Sequence, residues 1–187
     1  MVKHVTVAWN PTTSEDRLDR LESIEQIRQL AHRYALAVDT RDLDSLVELF
    51  VDDVQVSRDK QGREFLKSWF AQSLSRFGDS IHFVGNHVID LESPNEARGV
   101  VTCRDELEMG GEWRVGFIQY WDKYLRRDGS WYFQRRKLHR WYMVDALTRP
   151  KHGAGLDTDR ESLQIAQLPD AWASWTAFWN EVGRPPR

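Results

Sequence analysis

The chain has 187 residues, enough for one domain with an appendage and a sizeable buried core. With 41% apolar and 29% charged residues it has an ordinary globular composition, and its formal net charge of −3 gives no overall electrostatic basis for binding nucleic acid or an acidic membrane. The single cysteine, Cys103, cannot close an internal disulfide or share a metal with a second thiolate, and no run approaches the roughly 18 apolar residues of a membrane span. The opening Met1-Val2-Lys3-His4-Val5 lacks the apolar core of a signal peptide, so the expected location is cytoplasmic. Aromatic residues reach 12%, with nine Trp. Most must serve the core, because rings bury large areas, and the surplus favours a site for a small aromatic or polycyclic ligand.

In chain order, Asn10-Pro11-Thr12-Thr13-Ser14 breaks an N-terminal arm and supplies a helix cap. Leu18, Leu21, Ile24, Ile27, Ala31, Tyr34, Ala35 and Val38 then recur at helical spacing. They predict an amphipathic helix of roughly twenty residues that ends near Asp39-Thr40-Arg41-Asp42. A short second helix follows with Leu43, Leu46, Val47, Leu49 and Phe50, capped by Asp42. Val54-Gln55-Val56-Ser57 alternates as a short strand, Asp59-Lys60-Gln61-Gly62 reads as a turn, and Phe65, Leu66, Trp69, Phe70, Leu74 and Phe77 trace a third helix stopping near Gly78.

From residue 80 the period changes to two. Four long strands are predicted at about 80–91, 97–108, 113–126 and 130–144, joined by short turns rich in Gly, Asn or Asp that make neighbours antiparallel. Residues 146–169 form a polar connection, and Asp170 caps a last helix with Trp172, Trp175, Phe178 and Trp179 on one face. That face needs cover, either from the domain or from a neighbouring subunit. The order predicts an α+β fold: a cone-shaped α+β barrel, with a strongly curved antiparallel sheet covered by three N-terminal helices, plus a C-terminal helix. The expected division is an arm at 1–17, the main domain at 18–145 and an extension at 146–187.

The first long strand, Ser80-Ile81-His82-Phe83-Val84-Gly85-Asn86-His87-Val88-Ile89-Asp90, carries unusual polarity. Simple alternation puts His82 and Asn86 on one face and His87 on the other. An imidazole on the inner face of a sheet is either a satisfied core histidine or a proton-transfer group.

Three segments resemble the SnoaL-like proteins of the nuclear transport factor 2-like superfamily: the helix Leu21–Asp39, the stretch Leu43–Asp53 and the strand Ile81–Asn86. The late strand Gly129–Arg136 fits as well, so the resemblance covers about residues 18–145. Within that superfamily, scytalone dehydratase, bile-acid dehydratase and hexachlorocyclohexane dehydrochlorinase are lyases with an Asp-His dyad. The resemblance maps the dyad onto Asp39 and His82, matches Tyr34 to a dehydratase tyrosine, and matches Arg136 to an arginine of the dehydrochlorinase. It implies a homo-oligomer, with a trimer favoured.

Chemically, an imidazole whose ordinary pKa is about 6.5 is a suitable base near neutrality, and a carboxylate on its far nitrogen fixes the tautomer. Tyr34 would assist a leaving group, Asn86 would bond a substrate carbonyl, and Arg136 would stabilise negative charge. Tyr120 and Trp69 complete the expected substrate contacts. Each residue also has a plain structural reading. Asp39 would cap the next turn, Tyr34 would fill the core, Asn86 would satisfy a strand end, and Arg136 would belong to a solvated basic run.

The expected activity is a cofactor-independent lyase, with no metal, acting on a hydrophobic ring compound. A steroid or bile-acid-type alcohol losing water is the first choice. A lignin-type diaryl compound losing water or formaldehyde follows. The alternatives are a ketosteroid-isomerase-like proton shuttle, whose base would be a carboxylate on the sheet, and a non-catalytic scaffold like a dioxygenase small subunit.

Overall fold

Thr13 starts the first helix as its cap, its hydroxyl accepting the Asp16 N–H at 3.1 Å. Helix α1 then runs Ser14–Thr40, with Glu15 and Asp16 favourably placed against the positive end of its dipole. It ends sharply. Arg41 takes the left-handed conformation at φ 60°, and Asp42 N–H closes back onto the Ala37 carbonyl at 2.9 Å. A non-glycine residue there costs about 1 kcal/mol. The Arg41 guanidinium offsets it by donating to the Ser80 hydroxyl at 2.7 Å and the Gly78 carbonyl at 2.5 Å. The helix end is thereby tied to the start of the first long strand.

The computed structural model describes residues 9–146 and, beyond them, the helical positions Ala173, Thr176, Ala177 and Asn180. The expected aromatic face of the last helix and residues 1–8 of the expected arm lie outside the described residues. After α1 come α2 (Leu43–Glu48), β1 (Gln55–Ser57), β2 (Lys60–Gln61) and α3 (Arg63–Leu74). The long strands are β3 (Ser80–Leu91), β4 (Glu96–Met109), β5 (Glu112–Arg127) and β6 (Ser130–Asp145).

All neighbours in the order β3-β4-β5-β6 are antiparallel. Two of the hairpins have two-residue loops, Gly110-Gly111 and Asp128-Gly129, with every central φ between 49° and 82°. Positive φ at both positions is what a turn matching the strand twist requires, which accounts for the glycines.

The expected barrel is corrected in one respect. The four-stranded sheet is open, and the short strand pairs with Lys60–Gln61 in a hairpin of its own rather than joining it. The residues expected as a turn supply that second strand. The β6 edge is covered instead by residues 49–51: Val51 N–H donates to the Phe133 carbonyl at 3.0 Å, and Phe133 N–H to the Leu49 carbonyl at 2.8 Å.

The helices pack on one face of the sheet. Ile27, Ala31, Tyr34 and Val38 of α1 join Leu46, Phe70, Val101, Ile118, Tyr124 and Phe133 in one buried cluster. Trp9, from the expected arm, packs against it. Leu18 and Leu21 depart from the predicted stripe, being 58% and 62% exposed. Helix burial starts at Ser23, and the earlier turns are held by the Asp19–Arg126 ion pair at 2.8 Å.

Strand β3 does not alternate throughout. Its register to β4 shifts between Val84 and His87, a bulge at Gly85-Asn86 that reverses the inward phase. His87, expected outward, therefore turns into the interior, while Asn86 is exposed. His87 Nε2 lies 3.0 Å from the Tyr124 hydroxyl, which donates to Asp122 Oδ2 at 2.8 Å, so Nε2 carries the proton and the ring is neutral.

Burial, helped by the charge of Arg136, holds the His87 pKa at about 4 instead of 6.5. The unfolded chain takes up a proton near pH 6.5 and the folded one does not. The corresponding stability is complete above pH 6.5 and is lost as pH falls towards 4. His87→Gln, which keeps a donor for Tyr124 but cannot titrate, should flatten that decline in urea unfolding followed from pH 7 to 4. An unchanged slope would remove His87 as its source.

Candidate active site

The end of α1 and the start of β3 meet in a cluster of short hydrogen bonds. His82 Nδ1 lies 2.7 Å from Asp39 Oδ1, the His82 backbone N–H donates to Asp39 Oδ2 at 2.8 Å, and the Ser80 hydroxyl donates to Oδ1 at 3.0 Å. Asp39 thus grips both the ring and the backbone of the same residue. Burial raises the Asp39 pKa, yet the bonds from His82 and Ser80 outweigh it and hold the carboxyl below its ordinary value. With Asp39 ionised, Nδ1 carries the hydrogen and Nε2 keeps its lone pair. The His82 side chain is 8% exposed and lines a cavity.

That cavity has a volume of about 990 Å³ and lies between α1, α3 and the inner face of the sheet. Such a volume is at the upper end for sites that enclose a small organic molecule. Tyr34, Val38, Phe50, Leu66, Phe70 and Leu138 make much of its wall apolar. Tyr34 meets Phe50, Phe70, Tyr120 and Phe133 edge-on, with ring centroids 5.6–6.4 Å apart. Burial pushes its phenol up to about 12, against the pull of Arg136. At neutral pH Tyr34 is a proton donor.

Arg136 sits beneath this aromatic group. Its guanidinium carbon is 4.2–4.3 Å from the ring centroids of Tyr34, Tyr120 and Phe133. Nε and Nη2 donate to the two oxygens of Asp122 at 3.0 and 2.7 Å. The Arg136 side chain is only 4% exposed and that of Asp122 is fully buried. Removing one member of such a pair strands the other and costs about 3–5 kcal/mol. Arg136 therefore supports the two tyrosines, and its charge is already matched.

Two further polar groups enter the wall. Asp105 is the cross-strand partner of His82 on β4, and it is 3% exposed. Its Oδ1 has no hydrogen-bond partner among the described residues. Burial raises its pKa, opposed by His82 and Arg140. The carboxyl lies over Gly116 of β5, where a Cβ would come within 2.1 Å of Oδ1. Arg140 of β6 also lines the cavity, and its Nε is buried without a partner among the described residues.

Of the sequence candidates, the structure brings His82, Tyr34, Tyr120, Trp69 and Arg136 to the cavity, with Asp39 directly behind His82. Trp69 is 51% exposed. Asn86 is not among the lining residues, because the bulge turns it to solvent. Sequence reasoning passed over Asp105, Asp122 and Arg140. The signal was present: Asp105 falls in phase with Val101, Cys103 and Leu107, and Asp122 with Ile118, Tyr120 and Tyr124. An acid in the apolar phase of a strand needs a reason to be there. Among the described residues no group of three or more His, Cys, Asp or Glu is gathered as a metal site, and no helix is long and apolar enough to cross a membrane.

Known proteins resemble this chain in sequence and in shape. A Mycobacterium tuberculosis protein of uncharacterised function is 27% identical over 125 residues, covering 63% of this chain and 82% of its own. The crystal structure of a protein provisionally assigned as a scytalone dehydratase, from Novosphingobium aromaticivorans, has a TM-score of 0.61 at 25% identity. That likeness covers 74% of this chain and 97% of the other. Hexachlorocyclohexane dehydrochlorinase LinA type 3 from Novosphingobium barchaimii shares the fold at a TM-score of 0.64 and 23% identity, covering 72% of this chain and 99% of the other. The family profile of the SnoaL-like domain matches residues 19–137, the span that holds most of α1, the sheet through Arg136 and the Asp39–His82 contact. The chain belongs to the SnoaL-like family.

Proposed function

We propose that this protein is a cofactor-independent lyase in which His82, oriented by Asp39, removes a proton from a hydrophobic ring compound held in the cavity. The observation that carries this reading is the 2.7 Å contact of His82 Nδ1 with Asp39, which leaves the other ring nitrogen as the base on a residue lining the cavity. The provisional scytalone dehydratase among the structural relatives supports elimination as the reaction class.

In the proposed step the C–H proton passes to His82 Nε2. Its electrons form the new double bond, and the C–O bond to the leaving group breaks. A departing hydroxide needs a proton, which a neutral Tyr34 would supply, giving water. Asp39 stabilises the imidazolium while it exists. A steroid-type or bile-acid-type alcohol is the first candidate substrate, and a lignin-type diaryl compound losing water or formaldehyde is the next.

Asp105 favours a second reading. A buried carboxyl on the sheet with a raised pKa suits a proton shuttle that returns the proton elsewhere on the ring. Product mass separates the two: isomerisation leaves it unchanged, and elimination lowers it by the leaving group.

A simple probe of elimination is 3-hydroxy-1-tetralone, whose loss of water gives fluorescent 1-naphthol. Turnover by the wild type should fall by about 10²–10⁴-fold in His82→Ala and in Asp39→Asn, with both variants still folded by circular dichroism. Folded variants that retain wild-type rates would end the dyad assignment. Gly116→Ala tests Asp105 separately. The added methyl must displace the carboxyl, so turnover should drop at a stability cost of about 1–3 kcal/mol, read by urea unfolding of the same sample.

A further inference from the structure

The charged side chains that line the cavity are strongly unbalanced. Lys123, Arg135, Arg136, Lys137 and Arg140 face the single carboxyl of Asp105, in a chain whose net charge is −3. The cations are not equivalent. Lys123, Arg135 and Lys137 are exposed, so water solvates them and a contact with them is worth little. Arg136 is matched by Asp122 through two hydrogen bonds.

Arg140 differs from all of these. It is partly buried, its Nε is sealed from solvent with no hydrogen-bond partner, and it forms no ion pair among the described residues. Asp105 attracts it electrostatically but does not reach it. A guanidinium N–H sealed from water without an acceptor is unfavourable unless something else supplies one. A carboxylate is the natural complement, because its two oxygens match the guanidinium fork.

The position suits a ligand spanning the site. His82 is on β3 and Arg140 on β6, three strands across and three residues along from Met143, which ends the row of His82. Leu66, Phe70 and Leu138 offer apolar wall for a hydrocarbon body in the same cavity.

We propose that Arg140 anchors a carboxylate on the substrate, so that the molecule processed is a hydrophobic ring acid rather than a neutral ring alcohol. This rests on the lyase reading for what happens to the ligand, but not for its binding.

The test is calorimetric titration of the full chain with 2-naphthoate and with its neutral isostere 2-naphthamide. The wild type should bind the carboxylate about tenfold or more tightly than the amide. Arg140→Gln should abolish that preference while leaving amide affinity within twofold, and Arg140→Lys should restore part of it. A triple variant, Lys123→Gln, Arg135→Gln and Lys137→Gln, should keep most of it. No preference in the wild type, or a preference that survives Arg140→Gln, would overturn the proposal. So would a preference that disappears with the three rim cations. Because the readout is equilibrium binding, absence of any turnover would count against the lyase reading while leaving this result standing.

Discussion

The carboxylate of Asp39 is the constraint on which the site depends. It holds the backbone N–H and the ring of one residue, His82, and so fixes both where β3 begins and which tautomer its histidine takes. Arg41 completes the junction. By accepting the left-handed conformation it ends α1 immediately after Asp39, and its guanidinium then bonds Ser80 and Gly78 on the approach to β3. One residue inserted into α1 before Asp39 would turn it about 100° around the axis and away from the strand. The proposed chemistry and the packing of α1 on the sheet therefore share one set of hydrogen bonds.

A second layer of order lies beneath the aromatic wall. Asp122 receives two bonds from Arg136 and one from Tyr124, and Tyr124 in turn accepts from His87. This chain runs across three strands and passes under Tyr34 and Tyr120. It is fully paired at Arg136 and Asp122, the condition under which a buried polar network rigidifies its surroundings. Rigidity there matters, because Tyr34 can serve a leaving group only if its ring stays in place. The polar groups left unpaired in the described wall, Asp105 and Arg140, face the cavity.

Much of this was legible in the chain. Strand starts expected near 80, 97, 113 and 130 lie within one residue of those observed, because the period-two pattern and turns that demand Gly or Asp-Gly are local properties. The α1 terminus was legible for the same reason, and with it the family-based pairing of Asp39 and His82. What escaped was non-local. Alternation carried from His82 put Asn86 inside and His87 outside, and it failed because the bulge at Gly85-Asn86 is set by pairing to β4. The short strand at 55–57 was legible as a strand, but its partner was not, since Lys60–Gln61 carries no apolar pattern. Arg136 was open between a group that stabilises charge on the substrate and one charge in a solvated Arg-Arg-Lys run. Only its register opposite Asp122 shows that it is the buried one.

The bulge in β3 has one further consequence. It lets a single strand present His82 to the cavity and His87 to the network under α1, although the two stand five positions apart. A regular strand could not do both. Gly85 and Asn86 are exposed and add little to the core. The pair stands opposite a single residue of β4, Thr102, so deleting either one would give a regular strand with the two histidines four positions apart and both still inward. The extra residue is thus what reconciles the present spacing with one inner face, and substitutions that keep the count keep the phase.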